Sequence, residues 1–320
     1  MARPWDKPEA YHPTNWVVSE AIEWFHRRDP TDPFFLYLSF HRPHAPFDPP
    51  SWALEQYLAE DLPPAPVGDW VDDLAEFRVD FRAEGSFGAQ HPDVRRRALA
   101  GYYGSITHSD FQVNRLMEVL SDFGLRENTA VLFVSDHGDM MGDHHFYRKT
   151  VGYEGSARVP FLVRLPGGRA VRPRVDEVVE LRDIMPTVLD IAGVPIPAGV
   201  DGVSVLPLMQ DAEVTWRSEI HGQHVAEVLG NQSMHWVTDG RRKFIWFSGS
   251  GMEQFFDLDG DPTESRNLIH QPDRAEEVAG WRNRLVAHLD GREEGFVSDG
   301  RLVADRPVQT EMSWVRALLG

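Results

Sequence analysis

Apolar positions along this chain recur with two periods, and their alternation outlines the elements of the fold. Val17, Val18, Ala21, Ile22 and Phe25 fall at helical spacing behind Asn15, which is placed to cap a helix that the Pro30–Pro33 segment ends. Phe34–Phe40 is a nearly continuous apolar run and reads as a buried strand. The prolines between Pro43 and Pro50 impose an irregular loop, and the proline-rich Leu62–Asp69 stretch predicts a surface loop. Helical periodicity returns from Asp93 to Phe123, with Leu99, Tyr102, Ile106, Val113, Leu116, Met117 and Leu120 as core positions and Gly124 as the stop.

Two short β-branched runs follow, Ala130–Val134 and Pro160–Leu165, and then a helix over Asp183–Ala192 with Asp183 as cap and Gly193 as stop. Strand–helix–strand alternation to this point predicts an α/β architecture, a mostly parallel sheet flanked by helices. Beyond Thr215 the texture changes. Trp236–Thr238 and Lys243–Phe247 flank Asp239-Gly240 as a hairpin, Phe255–Leu258 adds a strand, and Arg274–Leu289 places Val278, Trp281, Leu285 and Leu289 on one helix face. The division expected is a main domain over 1–215 and a smaller α+β subdomain of antiparallel strands plus helix over 216–320.

Composition narrows the possible partners. Lys and Arg number 32 against 50 Asp and Glu, a net charge of −18, which argues against nucleic acid or an anionic membrane surface. An anionic substrate would need local cations, of which Arg42, Arg148, Lys149 and Arg158 are the candidates. No apolar run is long enough to span a membrane, and the first twenty residues hold no signal-peptide core. A cytoplasmic location follows if Met1 is the true start. The absence of cysteine excludes disulfides and a cysteine nucleophile within these residues.

The chemistry concentrates between Val131 and Pro160. The first strand ends in Ser135-Asp136-His137-Gly138, so a carboxylate and an imidazole sit side by side at a strand end, where open α/β sheets bind ligands. Lys149 and Tyr153-Glu154-Gly155 follow. An oxygen donor, a nitrogen donor and a nearby ammonium suggest a metal site that handles an anion. Upstream, His41-Arg42-Pro43-His44-Ala45-Pro46 offers two histidines able to titrate near neutrality. Asp139, Asp143, His144 and His145 crowd the same turn, with His144 a candidate pocket-lining residue. Glu154 and Arg158 read as an internal ion pair or loop anchor, and Trp236 and Trp246 as core or as walls of an aryl pocket.

The pattern S-D-H-G-D…G-D-H…K-x-x-x-Y-E-G-x-x-R-V-P resembles the sulfatases of the alkaline-phosphatase superfamily, especially arylsulfatase-like bacterial enzymes and the related phosphonate monoester hydrolases. Pro33–Pro46 and Phe255–Leu268 (FFDLDGDPTESRNL) are similar to two further segments of that family, in family order. The resemblance implies an alkaline-phosphatase-like fold and a sulfuric ester hydrolase acting on a small-molecule or glycan sulfate ester. It implies Asp136 and His137 as metal ligands, Lys149 as the sulfate-contacting lysine and His44 as the acid that protonates the leaving alkoxide. Arg42 would support the loop or touch substrate. The family favours Ca²⁺; the imidazole of His137, standing where many members carry Asn, leaves Mn²⁺ open.

The family's nucleophile is a formylglycine made from Cys or Ser in C/S-x-P-x-R. Neither that motif nor the family's early Asp-Asp strand is present in these 320 residues. The chain therefore resembles the C-terminal part of a longer sulfatase, and on its own is expected to be inactive. The alternatives are a phosphonate monoester or phosphodiester hydrolase on the same scaffold, and a non-catalytic relic or binding module.

Overall fold

A computed structural model describes residues 2–82, 85–168, 170–226, 229–230, 232–306, 308 and 313–319. Helix α1 spans Pro13–Arg27 and buries Val18, Ala21 and Phe25. Its cap is His12, not Asn15: proline stands at the first helical position, and His12 Nδ1 accepts the Thr14 N–H at 3.1 Å. Asn15 instead meets His108 Nε2 on the neighbouring helix at 2.6 Å. Phe34–Phe40 is extended but joins no ladder among the described residues. A strand buried on both faces needs a hydrogen-bonded neighbour, and without one here Phe35 and Tyr37 stand 71% and 79% exposed.

The chain then turns through a loop whose Arg42–Pro43 and Ala45–Pro46 peptide bonds are cis. Helix α2 (Ser51–Leu58) follows, hidden from sequence reasoning by its brevity and its lack of a side-chain cap. Helix α3 runs Pro92–Asp122. Its buried face is set by Leu99, Ala100, Gly104, His108 and Gln112, while Ile106 of the expected apolar stripe is exposed. Small residues on that face let α3 lie close against α2.

Strand β1 (Val131–Val134) leads through the short helix α4 (Glu154–Ala157) to strand β2 (Phe161–Arg164), and the two pair antiparallel with Phe133 opposite Leu162. Every strand ladder among the described residues is antiparallel, so the parallel ladders expected for the main domain are not among them. The β1–β2 connection is long, but its only α-helix is the single turn α4, so no crossover helix lies between these two strands. Helices α5 (Ile184–Ile191) and α6 (Leu206–Met209) pack beside β2. Asp183 stands at the N-cap of α5 as expected, but its carboxylate makes no capping bond; it accepts from Glu180 N and Val203 N and pairs with Arg217 at 2.6 Å.

The C-terminal part matches the alternation in the sequence closely. Strands β3 (Ile220–Ala226), β4 (Gln232–Thr238), β5 (Arg242–Phe247) and β6 (Glu253–Asp257) form an antiparallel meander in chain order. Helix α7 (Ala275–Leu289) buries Val278, Trp281, Leu285 and Leu289 against Val237, Phe244, Trp246 and Phe255 on one face of that sheet. On the opposite face Met234, Ile245, Phe247 and Phe256 share one core with Trp70, Met140, Phe146, Val151 and Tyr153. Residues on both sides of position 215 thus pack into a common interior. The hairpin β7–β8 (Val297–Ser298 and Arg301–Leu302) and helix α8 (Ser313–Leu319) close the chain. Among the described residues no helix is long and apolar enough to cross a membrane.

This interior encloses histidines. Burial holds His108, His144 and His221 down at about 4 and His235 at about 3, below the ordinary 6.5. They are neutral in the fold, whereas the unfolded chain takes up protons from about pH 6.5 downward, so stability must fall as pH drops through that window. Asp143, raised by burial to about 6, and Glu264, also raised by burial, work in the opposite sense but are two groups against four. Urea unfolding at pH 7.5 and pH 5 should show a clear drop in midpoint at the lower pH; equal midpoints would contradict this account.

Candidate active site

Strand β1 delivers its last residues into a turn closed by its own side chains. Ser135 Oγ donates to the His137 carbonyl at 2.7 Å, and Asp136 Oδ1 accepts the His137 N–H at 3.0 Å. His137 Nδ1 lies 2.7 Å from the Gly138 carbonyl, which can only accept, so Nδ1 carries a proton and the lone pair of the neutral ring is on Nε2. That Nε2 is 3.5 Å from Asp136 Oδ2, and the Asp136 side chain is 84% exposed. A carboxylate and an imidazole lone pair therefore face the same open space.

The next residue fixes the turn to the second half of the motif. Gly138 N donates to Ser156 O at 2.8 Å, and a Cβ on Gly138 would sit 2.2 Å from the Gly155 carbonyl oxygen. Only glycine permits that backbone contact.

Between these contacts the loop 139–150 coils back on itself. Asp139 Oδ1 accepts from Met141 N and Arg148 N, and Met140 N donates to Arg148 O at 2.8 Å. Met141, His144, His145, Arg148 and Thr150 all adopt positive φ, a concentration of left-handed conformations outside glycine. Two of them flank Lys149, and Thr150, β-branched with φ of 87°, also buries its hydroxyl without a partner. Strain of this kind persists only where the surroundings enforce it.

That backbone aims Lys149 at His44. Lys149 Nζ is 2.9 Å from His44 Nε2, while His44 Nδ1 lies 2.8 Å from the Ala45 carbonyl. The ammonium can only donate and the carbonyl can only accept, so both contacts demand the same neutral tautomer, protonated at Nδ1. The His44 and His137 rings stand edge to face at 6.2 Å. Lys149, His44, His137 and Asp136 thus converge on one solvent-open face.

Other sequence candidates lie elsewhere. His144 is 2% exposed, accepts the Gly68 N–H at 3.0 Å and packs against Trp70 and Tyr153, so it supports the loop from inside and does not line a pocket. Arg42 is turned inward: its Nε donates to Asp48 at 2.6 Å and its other arm meets His41, which removes it from substrate. Trp236 and Trp246 belong to the two cores of the C-terminal sheet. Glu154 reaches Arg158 at 3.6 Å, but its shorter partner was missed from sequence.

That partner is Lys243 on β5, 1% exposed, which contacts Glu154 at 2.6 Å, Glu264 at 2.7 Å and the Gly152 carbonyl at 2.9 Å. Glu264 also accepts the Glu154 N–H at 2.6 Å through its second oxygen. Burial works to lower the Lys243 pKa; the two carboxylates outweigh it and raise the value, so the cation persists. Tyr153 stacks on Trp70 at 4.6 Å and donates to Gln254, and Trp236 lies so close over Gly152 that a Cβ there would come within 2.6 Å of its ring. Little in the sequence signals Lys243, which follows Arg241 and Arg242 and reads as the last of three basic residues before the apolar run Phe244–Phe247.

For a divalent metal, Asp136 and His137 supply two donors of suitable type. Among the described residues no group of three or more His, Cys, Asp or Glu could hold an ion. Two donors fall short of a coordination sphere, so these residues alone do not make a metal site.

Residues 1–194 match the sulfatase family model, and residues 142–290 match the model described as N-sulphoglucosamine sulphohydrolase, C-terminal. The chain is 46% identical over 313 residues to an arylsulfatase of Clostridium perfringens, covering 97% of this chain and 64% of that protein. Among solved structures it is similar to a phosphonate monoester hydrolase of Agrobacterium radiobacter, with 25% identity and a TM-score of 0.75 over 89% of this chain and 62% of that one. Another, solved with its substrate D-glucosamine-2-N,6-O-disulfate, shares the fold at a TM-score of 0.70 and 17% identity, over 87% of this chain and 69% of that one. The chain spans less than two thirds of the length of the Clostridium relative.

Replacing Lys243 by Met leaves the buried Glu264 and the half-buried Glu154 carboxylates without their cation and should destabilise the chain by about 3–5 kcal/mol. Urea unfolding measures it, and a loss below about 1 kcal/mol, the size of a surface pair, would contradict the role given to this triad. Gly138→Ala should be no better tolerated, since its methyl meets backbone.

Proposed function

The chain belongs to the sulfatase family, and from that membership we propose that it carries the leaving-group side of an arylsulfatase-type sulfuric ester hydrolase, acting on a small-molecule or glycan sulfate ester. Its fold is the alkaline-phosphatase-like α/β arrangement with a small antiparallel C-terminal sheet. The observation that carries the reading is the 2.9 Å contact between Lys149 and His44 beside the Asp136/His137 turn.

In this reading the sulfuryl oxygens lie at the ammonium of Lys149, which offsets the charge that grows as the S–O bond to the alcohol breaks. The alkoxide then takes a proton from the Lys149 ammonium, which His44 Nε2 orients by accepting from it, and the lysine is left as the neutral amine. Asp136 and His137 are the chain's own contribution to a divalent ion, Ca²⁺ by family and Mn²⁺ as the alternative that an imidazole favours. Such an ion would supply Lewis-acid polarisation of the sulfuryl oxygens. The nucleophile, a formylglycine in the family, has no precursor motif in these residues. The 320-residue chain alone is therefore expected to show negligible turnover.

A second reading, hydrolysis of a phosphonate monoester or phosphodiester, is favoured by His137 and by the Agrobacterium neighbour. One experiment separates the readings. The part of the Clostridium arylsulfatase that this chain does not match is supplied in trans with Ca²⁺ or Mn²⁺, and hydrolysis of an aryl sulfate and an aryl phosphonate is followed. Faster sulfate hydrolysis, reduced about 10²–10³-fold in Lys149→Ala, is the expected result. Preference for the phosphonate would favour the second reading. Turnover of neither, with the complex shown to form, would point to a non-catalytic relic, and aryl sulfate turnover by the isolated chain would overturn the inactivity expected of it.

A further inference from the structure

Beneath the His44 turn lies an ion pair that contacts no reacting group. Asp48 is 3% and Arg42 8% exposed, and Arg42 Nε donates to Asp48 Oδ1 at 2.6 Å. The backbone around Asp48 is pinned on both sides, since Arg3 N donates to Phe47 O at 3.1 Å and Trp5 N to Pro49 O at 2.9 Å. Below the same carboxylate sits the fully buried cap of α1, His12, with Nε2 4.0 Å from Asp48 Oδ1. Asp48 is therefore a fixed point.

From it the contacts run in one direction. The far arm of Arg42 meets His41 Nδ1, the His41 ring lies 5.1 Å from the His44 ring, and His44 N donates to His41 O at 3.1 Å to close the turn. A buried ion pair is seldom more stabilising than apolar side chains of similar volume. What this one supplies is direction: a planar guanidinium with one arm fixed leaves the other at a set angle.

We propose that Asp48 is a positioning residue which, through Arg42 and His41, holds the turn that presents His44 Nε2 to Lys149. The inference rests on reading His44 and Lys149 as the reacting pair, but its test does not measure turnover, so the hydrolase reading and this one can fail separately.

The test is nitrogen NMR of the imidazoles in the full ¹⁵N-labelled chain at pH 7.5, with the His44 signals identified by their loss in His44→Gln. In the unaltered chain His44 should show one tautomer, protonated at Nδ1. Asp48→Asn should bring its two nitrogen resonances together as the tautomers mix. Arg42→Lys keeps the charge facing Asp48 and the burial but loses the fork, and should give the same convergence with little change in thermal melting. Leu285→Ala, which weakens the distant core under α7, should lower the melting temperature and leave the His44 pattern unchanged. A single-tautomer His44 in folded Arg42→Lys overturns the proposal whatever Asp48→Asn does, and convergence in Leu285→Ala overturns it as well.

Discussion

The candidate site depends on one buried cation. Lys243 lies under the Gly152–Glu154 backbone with each of its donors directed at an oxygen: the Gly152 carbonyl, Glu154 and Glu264. Glu264 in turn grips the Glu154 amide. The segment just after Lys149 is thus bonded to β5 and to the turn after β6, elements a hundred residues further along the chain. A buried ammonium and a buried carboxylate, with the half-buried Glu154 beside them, tolerate little displacement, because a Glu264 oxygen pulled away would be left desolvated and unpaired. That intolerance lets a surface loop hold a side chain at a defined angle.

Rigidity at one end of the loop makes strain at the other end sustainable. The left-handed residues on both sides of Lys149 would relax if the loop could move, yet it is closed by Asp139 within and by the Gly138–Ser156 contact behind. The C-terminal sheet is therefore part of the site, although it contributes no group to the open face. Its inner face, through Trp236 and Met234, shapes Gly152, and its interior strand β5 carries Lys243.

The sequence disclosed some of this and concealed the rest for identifiable reasons. The β4–β5 hairpin, α7 and its four buried residues were legible because period-2 and period-3.6 patterns there answer to a single local core. The strand expected at Phe34–Phe40 was misread because an apolar run states that burial is wanted, not that a neighbour is at hand. The stripe expected on α3 holds at Leu99 and Leu120 and fails at Ile106; between them the buried face is completed by Gly101 and Gly104, whose lack of a side chain permits close approach. Lys149 and His44 could be paired from family resemblance, 105 residues apart, and the coordinates bring them into contact. Lys243, Asp48 and the inward turn of Arg42 and His144 could not be foreseen, since each depends on which backbone oxygen or ring lies opposite after folding.

The two lysines also resolve a tension in the composition. A chain with net charge −18 repels anions at long range, and many of its cations are tied to carboxylates. Lys243 is such a cation, compensated by two glutamates, and its field is cancelled where it lies. Lys149 has no ion-pair partner among the described residues; what holds it is the neutral imidazole of His44, which accepts a hydrogen bond without neutralising the charge. An ammonium oriented by a neutral acceptor keeps its full attraction for an arriving oxyanion, and at contact distance that attraction exceeds a diffuse field screened by salt beyond about 8–10 Å. Residue type alone does not separate the two lysines: the one between carboxylates builds the frame, and the one facing an uncharged ring keeps its charge uncompensated among the described residues.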